Sequence, residues 1–246
     1  MTYTHLNAII GFLVIGLAGF ALSAPDQIRI GNFSSMTPGT DLPAGWERLS
    51  FGGRTDDTEY TLVRVGDRTV IRAHADNAAS GLVRRVPFET RDFPILDWSW
   101  KIDGVLEKGD VQSKRGDDYP VRIYVTFDYD PADLGFADRV KYRALRLLGF
   151  RDIPVRAINY IWANKAPVGT LVENPFTDWV MMFALQSGNG RAGEWVTESR
   201  NVYDDYREAF GEEPPRISGI AIMTDSDNTR SVATGYYGDI SLRRAQ

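Results

Sequence analysis

The sequence predicts a mainly β protein, a jelly-roll β-sandwich with one or two short helices in loop insertions. Short segments in which apolar and polar residues alternate recur along its 246 residues, as in half-buried strands. The 23 glycines and 12 prolines are spread between these segments and are typical of many turns. Many short strands joined by scattered turns indicate a sandwich of two sheets.

The alternation is clearest at residues 95–102, where Trp98 and Trp100 are predicted to face the core and Lys101 the outside. The same pattern at 121–127 places Arg122 and Tyr124 on the outer face. Residues 65–68 predict a tight hairpin turn. The other predicted strands cover residues 58–65, 69–75, 81–86, 179–185, 195–201, 217–224 and 235–243.

Two helices are predicted. Residues 137–148 carry apolar side chains at helical spacing, and residues 202–210 are acidic at their start and stopped by Gly211. The insertions at 107–118 and 128–159 are expected at the ends of the sheets.

The N-terminus predicts a signal peptide over residues 1–23, followed by a single β-sandwich domain over 24–246. Residues 8–22 form an uncharged apolar run that ends in small residues suited to cleavage. The run is short for a membrane span, so a membrane is expected as a partner only if this segment stays uncleaved. The protein is therefore predicted to be exported, with the periplasm as its location.

Composition excludes several kinds of site. The chain has no cysteine, which rules out disulfides, thiol nucleophiles and cysteine zinc sites. It has two histidines, His5 and His74, too few for a histidine-rich metal site. Its net charge of -5 predicts no nucleic acid partner, because phosphate binding requires clustered Lys and Arg.

The last thirty residues place an oxygen-rich loop between two strands. The apolar strand 217–224 leads into Asp225, Asp227 and Asn228, and the chain returns as the aromatic strand 235–243. We expect a buried β-hairpin with carboxylates at its end. The loop side chains form turn hydrogen bonds, contact a polar ligand or bind a cation, and the pattern leaves all three open.

A second group of polar residues lies near the 121–127 strand. Asp117 and Asp118 precede the strand and are placed to pair with Arg122. If strands 95–102 and 121–127 are neighbours, Arg122 and Tyr124 contribute to a polar, aromatic face of the kind that binds glycans. The alternative is a solvated sheet face crossed by salt bridges.

Trp162, Asn164 and Arg200 are further candidate ligand contacts. An asparagine beside a tryptophan near a strand end suits a polar ligand. The alternative is a packed aromatic ring with its neighbouring amide satisfied by the backbone.

In combination, these motifs resemble family DUF3047, a bacterial domain of unknown function. The resemblance covers roughly residues 28–243 and implies an exported sandwich similar to galactose-binding-like and carbohydrate-binding jelly rolls. It implies no activity. The motifs lie at residues 98–101, 116–122, 159–164, 198–201, 205–207, 224–229 and 237–240.

The ending Gly-Asp-Ile-Ser-Leu is also similar to the last strand of many carbohydrate-binding jelly rolls. This likeness predicts a structural calcium held by Asp239, with Asn32 and Asp41 as N-terminal contributors. Alternatively, Asp239 caps a turn or pairs with an arginine.

The leading functional hypothesis is an exported protein that binds a polar ligand such as a glycan. One alternative is a polysaccharide hydrolase that uses two carboxylates, drawn from Glu173, Glu194, Glu198 and Asp225. Another is a structural or assembly protein of the bacterial envelope. Neither catalytic residues nor a certain cofactor follow from the sequence.

Overall fold

The computed structural model describes residues 26–51, 55–130, 132, 134–147 and 155–245. The predicted signal peptide, or uncleaved anchor, lies outside these residues. Thirteen strands are described: β1 (Gln27–Gly31), β2 (Glu47–Ser50), β3 (Glu59–Val65), β4 (Arg68–Asp76), β5 (Ala79–Phe88), β6 (Ile95–Ile102), β7 (Arg122–Phe127), β8 (Ala157–Ala163), β9 (Leu171–Asn174), β10 (Thr177–Ser187), β11 (Val196–Asn201), β12 (Ile217–Asp225) and β13 (Val232–Arg243).

The strands form two sheets that pack as a sandwich, which confirms the predicted fold class. Sheet 1 has six strands in the order β11-β6-β13-β4-β3, with β1 also paired to β13. Sheet 2 has seven strands in the order β2-β5-β12-β7-β8-β10-β9. Neighbouring strands are antiparallel except β8 and β10, which run parallel.

Aromatic rings from both sheets fill the core between them. Trp98 and Trp100 of sheet 1 face inward as predicted, and their ring centroids are 5.3 Å apart in an edge-on arrangement. The Trp98 ring packs on Tyr160 of sheet 2 at 5.3 Å, and Trp100 packs on Trp162 at 6.2 Å. Such rings bury large apolar areas, so they hold the sheets together.

The predicted C-terminal hairpin is wrong, because β12 belongs to sheet 2 and β13 to sheet 1. The loop between them therefore crosses from one sheet to the other. β12 is buried along nearly its whole length and has β5 and β7 as neighbours. Because strands are paired to both of its edges, β12 has no free edge for the strand that follows it in sequence.

Strands β6 and β7 are not neighbours, because they lie in different sheets. The predicted outer face that combined Arg122 and Tyr124 with Lys101 is consequently wrong. The predicted 65–68 turn is present between β3 and β4, where Gly66 adopts a φ of 61°. A positive φ of this kind suits glycine in a hairpin turn.

Four strands were missed by the sequence patterns, namely β1, β2, β8 and β9. All seven residues of β8 are buried, so the strand lacks the polar-apolar alternation by which strands are recognised. It lies where the end of a loop insertion was expected.

Both predicted helices are present, α1 at Phe136–Leu147 and α2 at Val202–Phe210. The Asn201 side chain accepts hydrogen bonds from the backbone N–H groups of Tyr203 and Asp204 and so caps α2. Gly211, with a φ of 72°, ends it. Within the described residues, no helix has both the length and the apolar character needed to span a membrane.

Candidate functional site

Arg122 is the centre of a buried polar cluster on the outer face of sheet 2. Only 3% of the residue is exposed, so the expected solvent-exposed position is wrong. The chain between β6 and β7 covers this face, and its Val111 and Tyr119 pack there against Ile161 and Met182. The predicted alternation of β7 is correct, since Arg122 and Tyr124 lie on its outer face. The chain between β6 and β7, however, buries the Arg122 end of that face.

The Arg122 guanidinium lies between two carboxylates. Its Nη2 donates to Oδ2 of Asp225, and its Nη1 is 3.8 Å from Oδ1 of Asp117. The rings of Tyr119 and Tyr124 lie 5.2 and 5.5 Å from the guanidinium carbon, which suits cation–π attraction. The structure thus brings together four of the candidate residues predicted from the sequence: Asp117, Arg122, Tyr124 and Asp225.

Burial raises the pKa of Asp225, and the nearby Arg122 opposes this effect. Burial likewise raises the pKa of Asp117, again opposed first by Arg122. Asp118 raises the pKa of both carboxyls further. The cluster therefore contains more carboxyl groups than its one guanidinium can pair with.

Several buried polar atoms of this cluster lack a hydrogen bond within the described part of the chain. They are Oδ1 of Asp117, Nε and Nη1 of Arg122, and both side-chain polar atoms of Asn159. Asn159 lies on β8 directly opposite Tyr124 in the strand register. Buried polar groups are nearly always satisfied, so these atoms mark the least completely paired part of the cluster.

Asp118 fixes the loop that follows β12. Its Oδ1 accepts from the backbone N and Nδ2 of Asn228 at 3.3 and 3.0 Å. Its Oδ2 accepts from the backbone N and Oγ1 of Thr229, both at 2.6 Å. Of the three interpretations of this loop, turn hydrogen bonding is the one these contacts support.

Carboxylate oxygens of Asp118, Asp225 and Asp227 all lie within 4.8 Å of one another. This spacing alone would suit a cation. However, a carboxylate offers about four lone-pair positions, and Asp118 already accepts four hydrogen bonds. Asp225 is also committed, to Arg122 and to the backbone N of Tyr119 at 3.0 Å. The three carboxylates are therefore a poor fit to a metal ion.

Asn164 joins the covering loop to this region. Its Oδ1 accepts from the backbone N of Leu106, and its Nδ2 donates to the carbonyl of Asp118, both at 2.8 Å. A Cβ atom on Gly109 would lie 1.7 Å from Nδ2 of Asn164, so this position requires glycine.

Two predicted residues lie apart from the cluster. Trp162 is fully buried in the core, where its Nε1 donates to the carbonyl of Gly188 at 3.0 Å. Arg200 forms an ion pair with Asp205, which also accepts from the Tyr160 hydroxyl at 2.6 Å. Neither Trp162 nor Arg200 lies at an open surface beside Arg122, so the cluster does not support the ligand roles expected for them.

Asp239, the predicted calcium ligand, is exposed and bonded to one neighbour. Its carboxylate accepts from the backbone N and Oγ of Ser34 at 2.8 and 2.5 Å. These bonds satisfy a 3₁₀ turn at Phe33–Ser35. In the described residues Asn32 instead donates to Ser35 at 2.6 Å. Calcium at Asp239 stays a prediction.

An open cleft of about 410 Å³ lies beside the buried cluster. Phe176, which is 51% exposed, offers an aromatic ring to it. The Lys114 ammonium lies 5.5 Å from that ring. The cleft is lined by Val111, Gln112, Val172, Glu173, Asn174, Pro175, Phe176, Thr177 and Asp178.

Asn174 connects the cleft to the cluster. Its Nδ2 donates to Oδ2 of Asp117 at 2.8 Å, and its Oδ1 accepts from the backbone N of Phe176 at 3.0 Å. The buried Asp117 therefore holds the turn that carries the exposed ring. Of the residues that line the cleft, only Glu173 was predicted from the sequence, although Asn174-Pro175 is a turn signal between two apolar segments.

Comparisons with known proteins place these features in context. A family 29 carbohydrate-binding module mutant is 12% identical, with a TM-score of 0.36 and coverage of 89% of this chain and 91% of the module. A cleaved adhesin domain of Lys-gingipain from Porphyromonas gingivalis is 6% identical, with a TM-score of 0.39 and coverage of 89% and 99%. The Caldicellulosiruptor saccharolyticus module CBM27-1, in complex with mannohexaose, is 10% identical, with a TM-score of 0.37 and coverage of 89% and 98%.

Scores and identities this low carry no argument about what this chain binds. No curated protein matches it. The sequence profile of one family does match, over residues 44–241, which is most of the chain. The chain therefore belongs to the family described as "Protein of unknown function (DUF3047)".

Proposed function

We propose that this protein binds a glycan in the cleft beside β9 and β10. The observation that carries the proposal is the link through Asn174, which holds the Phe176 turn and bonds the buried Asp117. The cleft volume of about 410 Å³ falls in the usual range for small-molecule sites.

The lining suits the two kinds of surface that a sugar presents. The ring of Phe176 can pack on the apolar C–H face of a sugar, as aromatic side chains do at binding surfaces. The Gln112 amide and the Glu173 carboxylate supply donors and acceptors for hydroxyl groups. Asp117 and Arg122 are buried and act by positioning the turn rather than by touching the ligand.

The proposal includes export, which the apolar N-terminal run motivates. Intact-mass measurement of the protein from the periplasm tests this part: cleavage after Ser23 predicts a chain beginning at Ala24. A product that keeps residues 1–23 and stays with the membrane fraction contradicts cleavage.

Calorimetric titration with a panel of neutral hexasaccharides, including cellohexaose and xylohexaose, tests the binding site. We expect one of them to bind the wild type, Phe176→Ala to weaken binding by about tenfold or more, and Asn174→Ala to weaken it as well. Phe136→Ala is the matched control, because Phe136 is 80% exposed and does not line the cleft. Equal losses for Phe176→Ala and Phe136→Ala, or no binding across the panel, would overturn the proposal.

A hydrolase is the second candidate, because the carboxylates of Glu173 and Asp178 both line the cleft. Binding is favoured because Asp117 and Asp225, whose pKa values burial raises, are enclosed near Arg122 and away from the cleft surface. Release of reducing ends from any panel sugar, abolished by Glu173→Gln, would favour the hydrolase instead.

A further inference from the structure

The outer face of sheet 1 carries a row of aromatic and basic side chains. Lys101 on β6 lies opposite Tyr236 on β13, and Tyr236 lies opposite Arg72 on β4. Trp195 directly precedes β11, the strand that borders β6. Because the two sheets pack through their inner faces, this row lies on the opposite side of the sandwich from the cleft.

The rings and cations of the row are in contact. The Lys101 Nζ is 4.1 Å from the centre of the Tyr236 ring and 5.9 Å from that of Trp195. The guanidinium carbon of Arg68 is 4.0 Å from the Trp195 ring centre. All four side chains are half-buried, so the face is ordered by packing yet still reaches solvent.

Within the described residues, the cations of this row contact aromatic rings rather than carboxylates. Within the described part of the chain, no carboxylate forms an ion pair with Arg68, Arg72 or Lys101. Farther along the same face, Arg243 does pair with Asp97, at 2.7 Å. Asp103 approaches the row through a hydrogen bond from the Tyr236 hydroxyl, at 3.4 Å. Among the contacts described for this row, three cations thus meet one carboxylate, that of Asp103.

We propose that this face binds an anionic glycan, a chain of uronic acid units. Its sugar rings would pack on Trp195 and Tyr236, while its carboxylates would pair with Lys101, Arg72 and Arg68. A carboxylate would complement these cations, and a planar guanidinium can bind one through two hydrogen bonds. This proposal is independent of the glycan site proposed in the cleft beside β9 and β10.

A single-stranded nucleic acid would also combine rings with cations. Nucleic acid binding draws much of its free energy from many phosphate contacts, for which three cations are few. A uronic acid chain also offers hydroxyl groups and apolar ring faces, so its binding depends less on the number of cations. We therefore favour the uronic acid chain, with nucleic acid as an outcome that the test distinguishes.

The test is a titration of the wild-type protein with hexagalacturonate and with its fully methyl-esterified form, which has the same rings without charge. We expect hexagalacturonate to bind at least about tenfold more tightly than the ester, and added salt to weaken it. The double variant Arg72→Gln/Lys101→Gln should lose this preference, while Trp195→Ala should weaken both ligands. Trp195→Phe, which keeps a ring, should retain part of the binding.

Thermal melting of each variant shows whether it is folded, and Phe176→Ala serves as the control at the cleft. If Phe176→Ala binds hexagalacturonate as the wild type does and the double variant loses its preference for it, the binding site is on this face and not in the cleft. Absence of hexagalacturonate binding to the wild type would overturn the proposal. Tighter binding of a thymidine hexanucleotide than of hexagalacturonate would overturn it in favour of nucleic acid.

Discussion

Arg122 and Asp225 form an ion pair in which the side chains are only 4% and 2% exposed. Asp117, with a side chain 7% exposed, lies on the other side of the same guanidinium. Removing one partner of such a group leaves the others buried without compensation, which costs far more than the pair itself contributes.

Arg122→Met should therefore lower the free energy of unfolding by about 3–5 kcal/mol. Chemical denaturation of the two proteins measures this change. Arg243→Met is the matched control, because the Arg243–Asp97 pair is partly exposed and should be worth about 1 kcal/mol or less. Similar losses for the two variants would contradict the central role of the buried pair.

Asp118→Ala should lower the free energy of unfolding by about 2–4 kcal/mol, because it leaves buried donors of Thr229 without an acceptor. Asp227→Ala should change it by less than about 1 kcal/mol, since Asp227 is half-buried and accepts one long side-chain bond, at 3.4 Å from Asn228. Denaturation midpoints compare the two. A larger loss for Asp227→Ala would refute the assignment of Asp118 as the residue that fixes this loop.

The raised pKa of Asp117 predicts a pH dependence of unusual sign. Between the unfolded value of about 3.9 and the higher folded value, the folded state binds more protons than the unfolded state. The contribution of Asp117 to stability therefore falls as pH rises through this window and is constant below it. Asp117→Asn should remove this contribution. Melting temperatures of the two proteins are compared at closely spaced pH values from 7 down to about 4. As pH falls, the melting temperature of the wild type should rise relative to that of the variant. Parallel curves for the two proteins would contradict this prediction.

Asn164→Ala should loosen the loop that covers the outer face of sheet 2. The variant loses the bonds to the backbone N of Leu106 and to the carbonyl of Asp118. Hydrogen exchange at the Leu106 amide should accelerate, while exchange in β13 stays as in the wild type. Unchanged protection at Leu106 would show that other contacts hold this loop.

Asp239→Asn should lower stability by about 1 kcal/mol, because a neutral amide accepts less strongly from Ser34. The same pair of proteins checks the predicted calcium. Calcium at Asp239 requires that a chelator lower the melting temperature of the wild type and leave the variant unchanged. The same response in both proteins would contradict it.

Sequence patterns located β6 because its two faces differ, with Trp98 buried in the core and Lys101 half-exposed. They missed β8 because neighbours bury both of its faces and leave no alternation to detect. The sequence patterns also predicted, wrongly, that β12 and β13 form a hairpin. Strand partners depend on the packing of whole sheets and not on proximity in sequence.

For the candidate site, the spacing of Asp117 and Arg122 correctly indicated neighbouring side chains. Asp118 was also expected to pair with Arg122, but its carboxylate accepts hydrogen bonds from Asn228 and Thr229 instead. The burial of the cluster could not be predicted, because it depends on a loop that folds over the sheet. Asp118 binds Thr229, which is 111 positions away. The exposed Phe176 was missed because nothing near it in sequence shows that its turn is tied to Asp117.

Amide chemical-shift mapping of residues 24–246 during titration with the tightest-binding neutral hexasaccharide tests the proposed function most directly. The proposal predicts that the largest shifts occur at residues 111–112 and 172–178, with little change at Lys101 and Tyr236. Shifts centred on the outer face of sheet 1, or spread evenly over the surface, would contradict a glycan site in the cleft.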